Sequence, residues 1–307
     1  MYTVSSTLST AIANGTPQRV LLEFTKKPDG TAYSPVVQFS NEEVLVESGV
    51  EMDETFNSDT DLTIGKCPSA EIRFDLLNDA GQLSNFEFGT FKAWLGARID
   101  SGTPPTGAKT RTFAGGKQPG LYEFTPLGVF IAKRPNIVKK KILSIEANDQ
   151  MTLFDANMPS ASDLGLTYPT TLYALYEKLC LYLGVPYKTT EFMNSTLTVS
   201  AEPEQFKDAT MREVLGWIAE AACSIARFDR DGQLEMAWFN PVSAVYDEHN
   251  YSDFSPYWYA TKAIDGLHVR NANSEAEAAL GQSTNNYLIQ DNPFLRVADT
   301  PVGGGAS

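Results

Sequence analysis

Residues 210–235 read TMREVLGWIAEAACSIARFDRDGQLE, a capped helix that runs without a gap into a tight β-hairpin. Thr210 stands where an N-cap is expected, and Glu213 follows at the spacing of a capping box. Met211, Val214, Leu215, Ile218, Ala222 and Ile225 recur at helical spacing and predict one apolar stripe. The period then changes. Arg227, Asp229, Gln233 and Glu235 alternate with Phe228, Leu234, Met236 and Trp238 around Asp231-Gly232, the dipeptide favoured in a type I′ turn. Such a unit buries apolar surface on both halves and puts no catalytic group on show.

Around this unit the pattern stays mixed. Leu172, Leu175, Tyr176, Leu179 and Leu183 predict a preceding helix, stopped by Gly184 and Pro186, and residues 197–199 predict a short strand. Residues 159–240 therefore read as a small α+β domain of two helices plus the hairpin.

Residues 1–158 read as antiparallel β. Val20, Leu22 and Phe24 share a face. Ile72, Phe74 and Leu76 alternate with Glu71, Arg73 and Asp75, and residues 91–99 repeat the alternation, the mark of a sheet with one buried and one wet face. Residues 122–132 and 141–147 predict two more strands, so this half is a barrel or a sandwich. A polar, acidic loop is expected at 52–61 and a Gly/Pro/Thr-rich loop at 101–120, the latter carrying Lys109, Arg111 and Lys117. Loops that long are functional or unstructured surface excursions. Past the central unit, residues 262–270 and 286–290 return to strand-like sequence, residues 273–281 predict a loop or short helical turn, and the chain ends in a Gly-rich tail.

Three stretches carry a resemblance to a known family. They are residues 210–235, residues 246–294 ending in NYLIQDNPF, and residues 146–155, EANDQMTLFD. In order and spacing they resemble the phage tail hub, or baseplate hub, proteins, in which a similar run ends in Y-x-I-x-x-N-P-F/L. The resemblance implies a mainly β, α+β chain with two tail-tube-like β-barrel domains and the small α+β domain between them: 1–158, 159–240, and 241–307 with the strands of the second barrel. It also implies a homotrimer at the tail tip that adapts a six-fold tail tube to a three-fold tip, lines part of the DNA channel and acts in DNA ejection. The implied partners are the tail tube or distal tail protein, the tape-measure protein, and a spike or receptor-binding protein. The implied place is the virion tail, after synthesis in a host bacterial cytoplasm. Relatives continue past N-P-F with further structure. Here Arg296 leads into VADTPVGGGAS, so the second barrel is shorter, is completed by other segments, or belongs to a truncated chain.

The 307 residues carry a formal net charge of -14, 42% hydrophobic and 11% aromatic residues. That charge argues against a protein that grips nucleic acid through its phosphates and suits both plain solubility and a duct through which DNA slides without sticking. No apolar run approaches the roughly 18 residues of a membrane helix, and the first residues show no secretory signal. Cys67, Cys180 and Cys223 are far apart, as free buried thiols would be.

A search for chemistry assigns no catalytic, cofactor or metal residue. Asp53, Asp59 and Asp61 suggest calcium, but position six of an EF-hand loop counted from Asp53 is Ser58 and position twelve is Ile64, where Gly and Glu are required. Asp229 and Asp231 are explained by the turn. His249 and His268 lie in no zinc pattern, and no nucleophile elbow occurs. Gly115-Gly116-Lys117 lacks the rest of a phosphate loop. The basic run Lys133, Arg134, Lys139, Lys140 and Lys141 reads as the charged face of a hairpin around Pro135-Asn136, or as an anion-facing patch. Two other readings stay open: a tail-associated cell-wall-degrading enzyme, for which two carboxylates suffice, and a carbohydrate-binding tail-tip protein using Tyr257, Trp258 and Tyr259.

Overall fold

A computed structural model describes residues 5–45, 49–54, 64–79, 81, 83–99, 107–116, 118–139, 141–237, 266–271, 274–279 and 286–295. Helix α1 (Ser6–Ala13) starts at Ser5, whose hydroxyl accepts from Leu8 N. The strands that follow are β1 (Gln18–Lys26), β2 (Ala32–Ser40), β3 (Val50–Asp53), β4 (Glu71–Leu77), β5 (Thr90–Arg98), β6 (Lys109–Phe113), β7 (Gly120–Ala132), β8 (Asn136–Lys139) and β9 (Ile142–Asp149). They form a nine-stranded sheet of order β2-β1-β5-β7-β9-β4-β3, with β6 on β7 and β8 on β9. Every ladder in it is antiparallel. Among the described residues the path ends at β2 and β3. The stretch after β2 nevertheless reaches β4, through a bridge between Val44 and Leu76.

One face of this sheet holds the larger of its own apolar clusters, built on Phe24, Ile72, Phe74, Phe91, Phe130 and Ile145. Its rings meet at edges and tilts, with Phe24 and Phe91 centroids 4.8 Å apart. The expected faces of β1, β4 and β5 are the ones buried. On β1, however, the expected wet face is covered as well: Arg19 and Leu21 are fully buried. The cause is β6. Residues 109–113, expected as loop, pair with the start of β7 and bring Phe113 beside Tyr122 and Phe124. The Arg19 guanidinium lies 3.9 Å from the Phe113 ring centroid and bonds Glu42 at 2.9 Å and the Gln118 carbonyl at 3.0 Å. The basic hairpin also falls elsewhere than expected: β8 turns into β9 past Lys139, because Pro135 sits in the connection between β7 and β8.

The central unit contains β10 (Thr170–Thr171), α2 (Leu172–Leu183), β11 (Thr198–Val199), α3 (Met211–Ala221), β12 (Ile225–Phe228) and β13 (Leu234–Ala237). Helix α2 stops at Gly184, whose φ of +64° is the left-handed cap that glycine tolerates. The capping box of α3 is complete: Thr210 Oγ1 accepts from Glu213 N, and Glu213 accepts from Thr210 N. Its apolar stripe ends sooner than the spacing suggests. The chain leaves the helix after Ala221 and reverses at Cys223, φ +50°, so Ile225 opens β12 instead.

The hairpin turn also differs from type I′. Strand pairing stops at Phe228 with Leu234, and of Asp231 and Gly232 only Gly232 has positive φ. Gly232 N donates to Asp229 O, and Asp229 N to Gln233 O, the pattern of a type I turn followed by a glycine bulge. The Asp229 carboxylate holds it by accepting from Asp231 N and Gln233 N, both at 2.9 Å.

Strands β14 (Gly266–Asn271), β15 (Ser274–Ala279) and β16 (Asn286–Gln290) form a separate sheet of order β15-β14-β16. Residues 274–279 are therefore strand, not loop or helical turn. The antiparallel ladder with β14 overrides the helical preference of Ala and Glu, since strand propensity follows pairing context. β16 runs parallel to β14.

Ile218 is fully buried in the central core with Leu175, Leu179 and Leu215. Ile218→Asp is expected to abolish the cooperative melting of the central unit, because an unpaired buried carboxylate costs several kcal/mol. Thermal melting followed by circular dichroism checks it.

Candidate functional site

Sheet, central unit and terminal strands meet at one joint, and its spine is the segment 64–70 ahead of β4. Gly65 N donates to Ser224 O at 2.8 Å and Ala226 N to Lys66 O at 3.0 Å, so the segment runs along the free edge of β12. Two glycines permit this approach. A Cβ on Gly216, in the middle of α3, would stand 2.9 Å from the Gly65 carbonyl oxygen; one on Gly65 would stand 2.8 Å from Glu220 Cβ. Gly65 also has φ +74°.

The terminal strands close on the same place. Tyr287 Oη donates to Ile64 O at 3.1 Å. Asn292 is 2% exposed, and its Nδ2 donates to Trp217 O at 3.0 Å and to Glu220 Oε2 at 2.8 Å. Its Oδ1 accepts from Phe294 N, which aims Phe294 into the central core. There Phe294 meets Phe206 edge-on, and Phe206 stacks on Trp217. The carboxamide of Asn292 fits because it offers donors and an acceptor at once. Burial pushes the Glu220 carboxyl above the usual carboxylate range, and the bond from Asn292 opposes that shift.

The other end of the segment is tied to the sheet. Asp149, closing β9, accepts from Ser69 Oγ at 2.8 Å, Ala70 N at 2.9 Å and Met151 N at 3.0 Å. Burial raises its pKa, and these three bonds pull against the rise. The hairpin turn supplies a second tie. Gln150 Nε2 donates to Gly232 O at 3.0 Å, and Lys92 on β5 pairs with Asp231 at 2.8 Å. A Cβ on Gly232 would fall 2.5 Å from Val129 Cγ2, so the turn sits directly on β7.

Chemically this arrangement holds rather than reacts: its carboxylates are spent on backbone N–H groups, an amide and a lysine. Among the described residues no group of three or more His, Cys, Asp and Glu is gathered for a metal. Asp53 ends β3, whereas Asp59 and Asp61 lie outside the described residues. Asp229 and Asp231 are occupied by the turn, by Lys188 at 3.0 Å and by Lys92. His268 lies on β14, as expected; His249, Tyr257, Trp258 and Tyr259 lie outside the described residues. Lys133 faces Glu146 at 3.6 Å, and Lys141 faces Asp79 at 3.3 Å. Lys109 pairs with Glu23 and lies over the Trp94 ring; Lys117 and Lys140 lie outside the described residues. The three cysteines are free thiols, and burial raises the Cys67 thiol to about 12. The residues that sequence reasoning passed over are Gly65, Gly216 and Glu220; Asn292 stood in the N-P-F run, but its partners were not foreseen. A glycine inside a helical pattern was the available signal, since it implies a close backbone contact.

Two outcomes test the joint. In an exposed helix Gly→Ala stabilises by about 1 kcal/mol; Gly216→Ala is expected to do the opposite and lower the melting temperature. For Glu220, a folded pKa above the unfolded value means the folded state binds the proton more readily, so stability falls as pH rises between the two values. Glu220→Gln keeps an acceptor for Asn292 and removes the buried charge. Its melting temperature should exceed wild type at neutral pH and converge with it below the ordinary glutamate value of about 4.3.

No family model and no curated protein matches the sequence. Solved structures similar to the fold include two tail proteins. One is a prophage 43 kDa tail protein from Shewanella oneidensis, 12% identical with a TM-score of 0.42, aligned over 89% of this chain and 72% of that one. The other is a tail protein from Neisseria meningitidis, 12% identical with a TM-score of 0.46, aligned over 90% of this chain and 71% of that one.

Proposed function

We propose that this chain is a structural protein of a phage or phage-like tail, a trimeric hub at the tail tip. The observation that carries this reading is the contact of Asn292 and Phe294 with α3. It joins, in one packed joint, two of the three stretches whose sequences resemble tail hub proteins. In this reading residues 1–158 form a first barrel, 159–240 the connecting α+β domain and 241–307 the strands of a second barrel. The bridge from Val44 to Leu76, which draws the end of β2 towards β4, supports barrel closure in the first domain. Three copies with two barrels each make a six-fold ring of domains on a three-fold tip. Its partners are the tail tube or distal tail protein, the tape-measure protein and a spike or receptor-binding protein, and DNA passes through the bore during ejection. The net charge of -14 suits a wall along which phosphates must slide.

Electron cryo-microscopy of the assembled particle is expected to show three copies at the tail tip; one copy or six overturns the reading. The purified chain is expected to give no lytic band in cell-wall zymography, with or without added zinc or calcium. A band lost on replacing a single Glu or Asp would establish the wall-degrading alternative.

A further inference from the structure

We propose that the basic corner between β7 and β8 of one copy docks in an acidic cleft on the central unit of the next, with Arg134 seated between Glu202 and Glu204. The biological setting rests on the tail-hub reading, but the contact is argued from the two surfaces themselves. The cleft opens where a pairing stops. Met158 N donates to Ala209 O and Met211 N to Ala156 O, both at 2.9 Å. Pro159 comes next, and a proline has no N–H to carry the pairing on. There the chain parts from the 3-10 turn Glu204–Lys207 and leaves a cleft of about 580 Å³. Its walls include Met158, Pro159, Pro203 and Phe206, and Phe206 is only 3% exposed. Glu202 and Glu204 also line it, both exposed, and Pro203 with φ -64° holds them one residue apart. Among the described residues neither carboxylate has an ion pair or a hydrogen bond. Lys207 is the cation lining the same cleft, so acid outnumbers base two to one.

The corner is residues 133–135. Arg134 is exposed, and among the described residues its guanidinium has no ion pair. Lys133 faces Glu146 at 3.6 Å and Glu71 at 4.0 Å, yet its side chain stays 50% exposed. Exposed pairs of that kind contribute little, so the corner keeps its charge for a partner. Pro135 follows Arg134 and adds a stiff apolar surface to set against the walls of the cleft.

Charge selects the partner. With a formal net charge of -14, copies repel one another unless opposite patches meet. The densest basic run in the sequence is Lys133, Arg134, Lys139, Lys140 and Lys141. Corner on corner, or cleft on cleft, would set like charges together, which is costly. Corner in cleft brings a planar guanidinium with five donors to two carboxylates. Because corner and cleft are different surfaces of one chain, the contact is head-to-tail and repeats from copy to copy, as a ring requires.

The test mixes two full-length variants, Arg134→Cys and isotopically heavy Glu204→Cys, at high concentration with a short bismaleimide. A 134–204 link between light and heavy chains can only join different copies. The native thiols compete poorly, since burial raises Cys67, Cys180 and Cys223 above the ordinary thiol range. The expected result is that link, absent when either variant is mixed with the unmodified chain. Absence of the link both in solution and in assembled particles overturns the proposal. Charge reversal is the second arm. Arg134→Glu and Glu204→Arg should each weaken association in sedimentation about tenfold with melting unchanged, and the two changes combined in one chain should restore it. Unchanged association in both single reversals overturns the docking. So does an Arg134→Glu chain that associates normally but loses retention on DNA, which would assign the corner to a polyanion. Three copies at the tail tip with corner and cleft apart overturn this contact and leave the hub reading standing. One or six copies with the link intact overturn the hub reading and leave the contact.

Discussion

The close passage of Gly65 over Gly216 is the constraint on which the arrangement of the chain depends. A backbone cannot come this near a helix unless the helix residue lacks a Cβ, and the 2.9 Å available at Gly216 leaves no room for one. Once the segment 64–70 lies there, its N–H and C=O groups complete β12, its first carbonyl receives Tyr287, and its last residues cap the end of β9 through Asp149. A mid-helix glycine is unfavourable by itself, costing about 1 kcal/mol relative to alanine. The cost is offset by backbone hydrogen bonds and apolar contacts that no other residue would permit.

The ties around this contact differ in kind. Lys92 with Asp231 is partly exposed, and pairs of that sort contribute little to stability, about 0–1 kcal/mol. Asn292 and Asp149 are buried and Glu220 half-buried, so removing their partners would strand a desolvated polar group, the costlier event. The sheet is therefore held to the central unit by Asp149 and the seating of Gly232 on Val129, and the terminal strands are held to it by Asn292 with Glu220. The surface ion pairs refine a geometry that is already set.

Much of this fold was legible in the sequence. The period of 2 in residues 71–77 and 91–99 and the capping box at Thr210 are local signals, and local signals survive folding. What failed was non-local. Residues 109–113 look like loop because Lys109, Thr110, Arg111 and Thr112 offer little to a core; they become strand by pairing with β7, and Arg19 is buried as a result. Residues 274–279 look helical or irregular for the same reason and are held by β14. The Asp-Gly turn was placed correctly, but its type depended on Asp229, whose carboxylate stabilises the longer loop. At the joint, Asn292 was visible as part of N-P-F, yet its partners Trp217 and Glu220 lie far away in sequence, and no local period announces such a contact.

The titratable groups bear on the proposed role as well. A protein that acts by holding a bore of fixed geometry gains from polar groups that lock backbone, and loses from groups left free to react. Asp149 illustrates the first case: burial alone would favour its neutral form, but donors from Ser69, Ala70 and Met151 converge on the carboxylate and favour the charged one. Its electrostatics are spent on geometry. The same holds for Glu213 in the capping box, whose pKa is lowered by the Thr210 backbone N–H, then by its hydroxyl. An active site would set carboxylates against each other in a cleft so that one keeps its proton. Among the described residues Asp149 and Glu213 answer to backbone N–H groups and Glu220 to the Asn292 amide, arrangements that suit a rigid connecting joint.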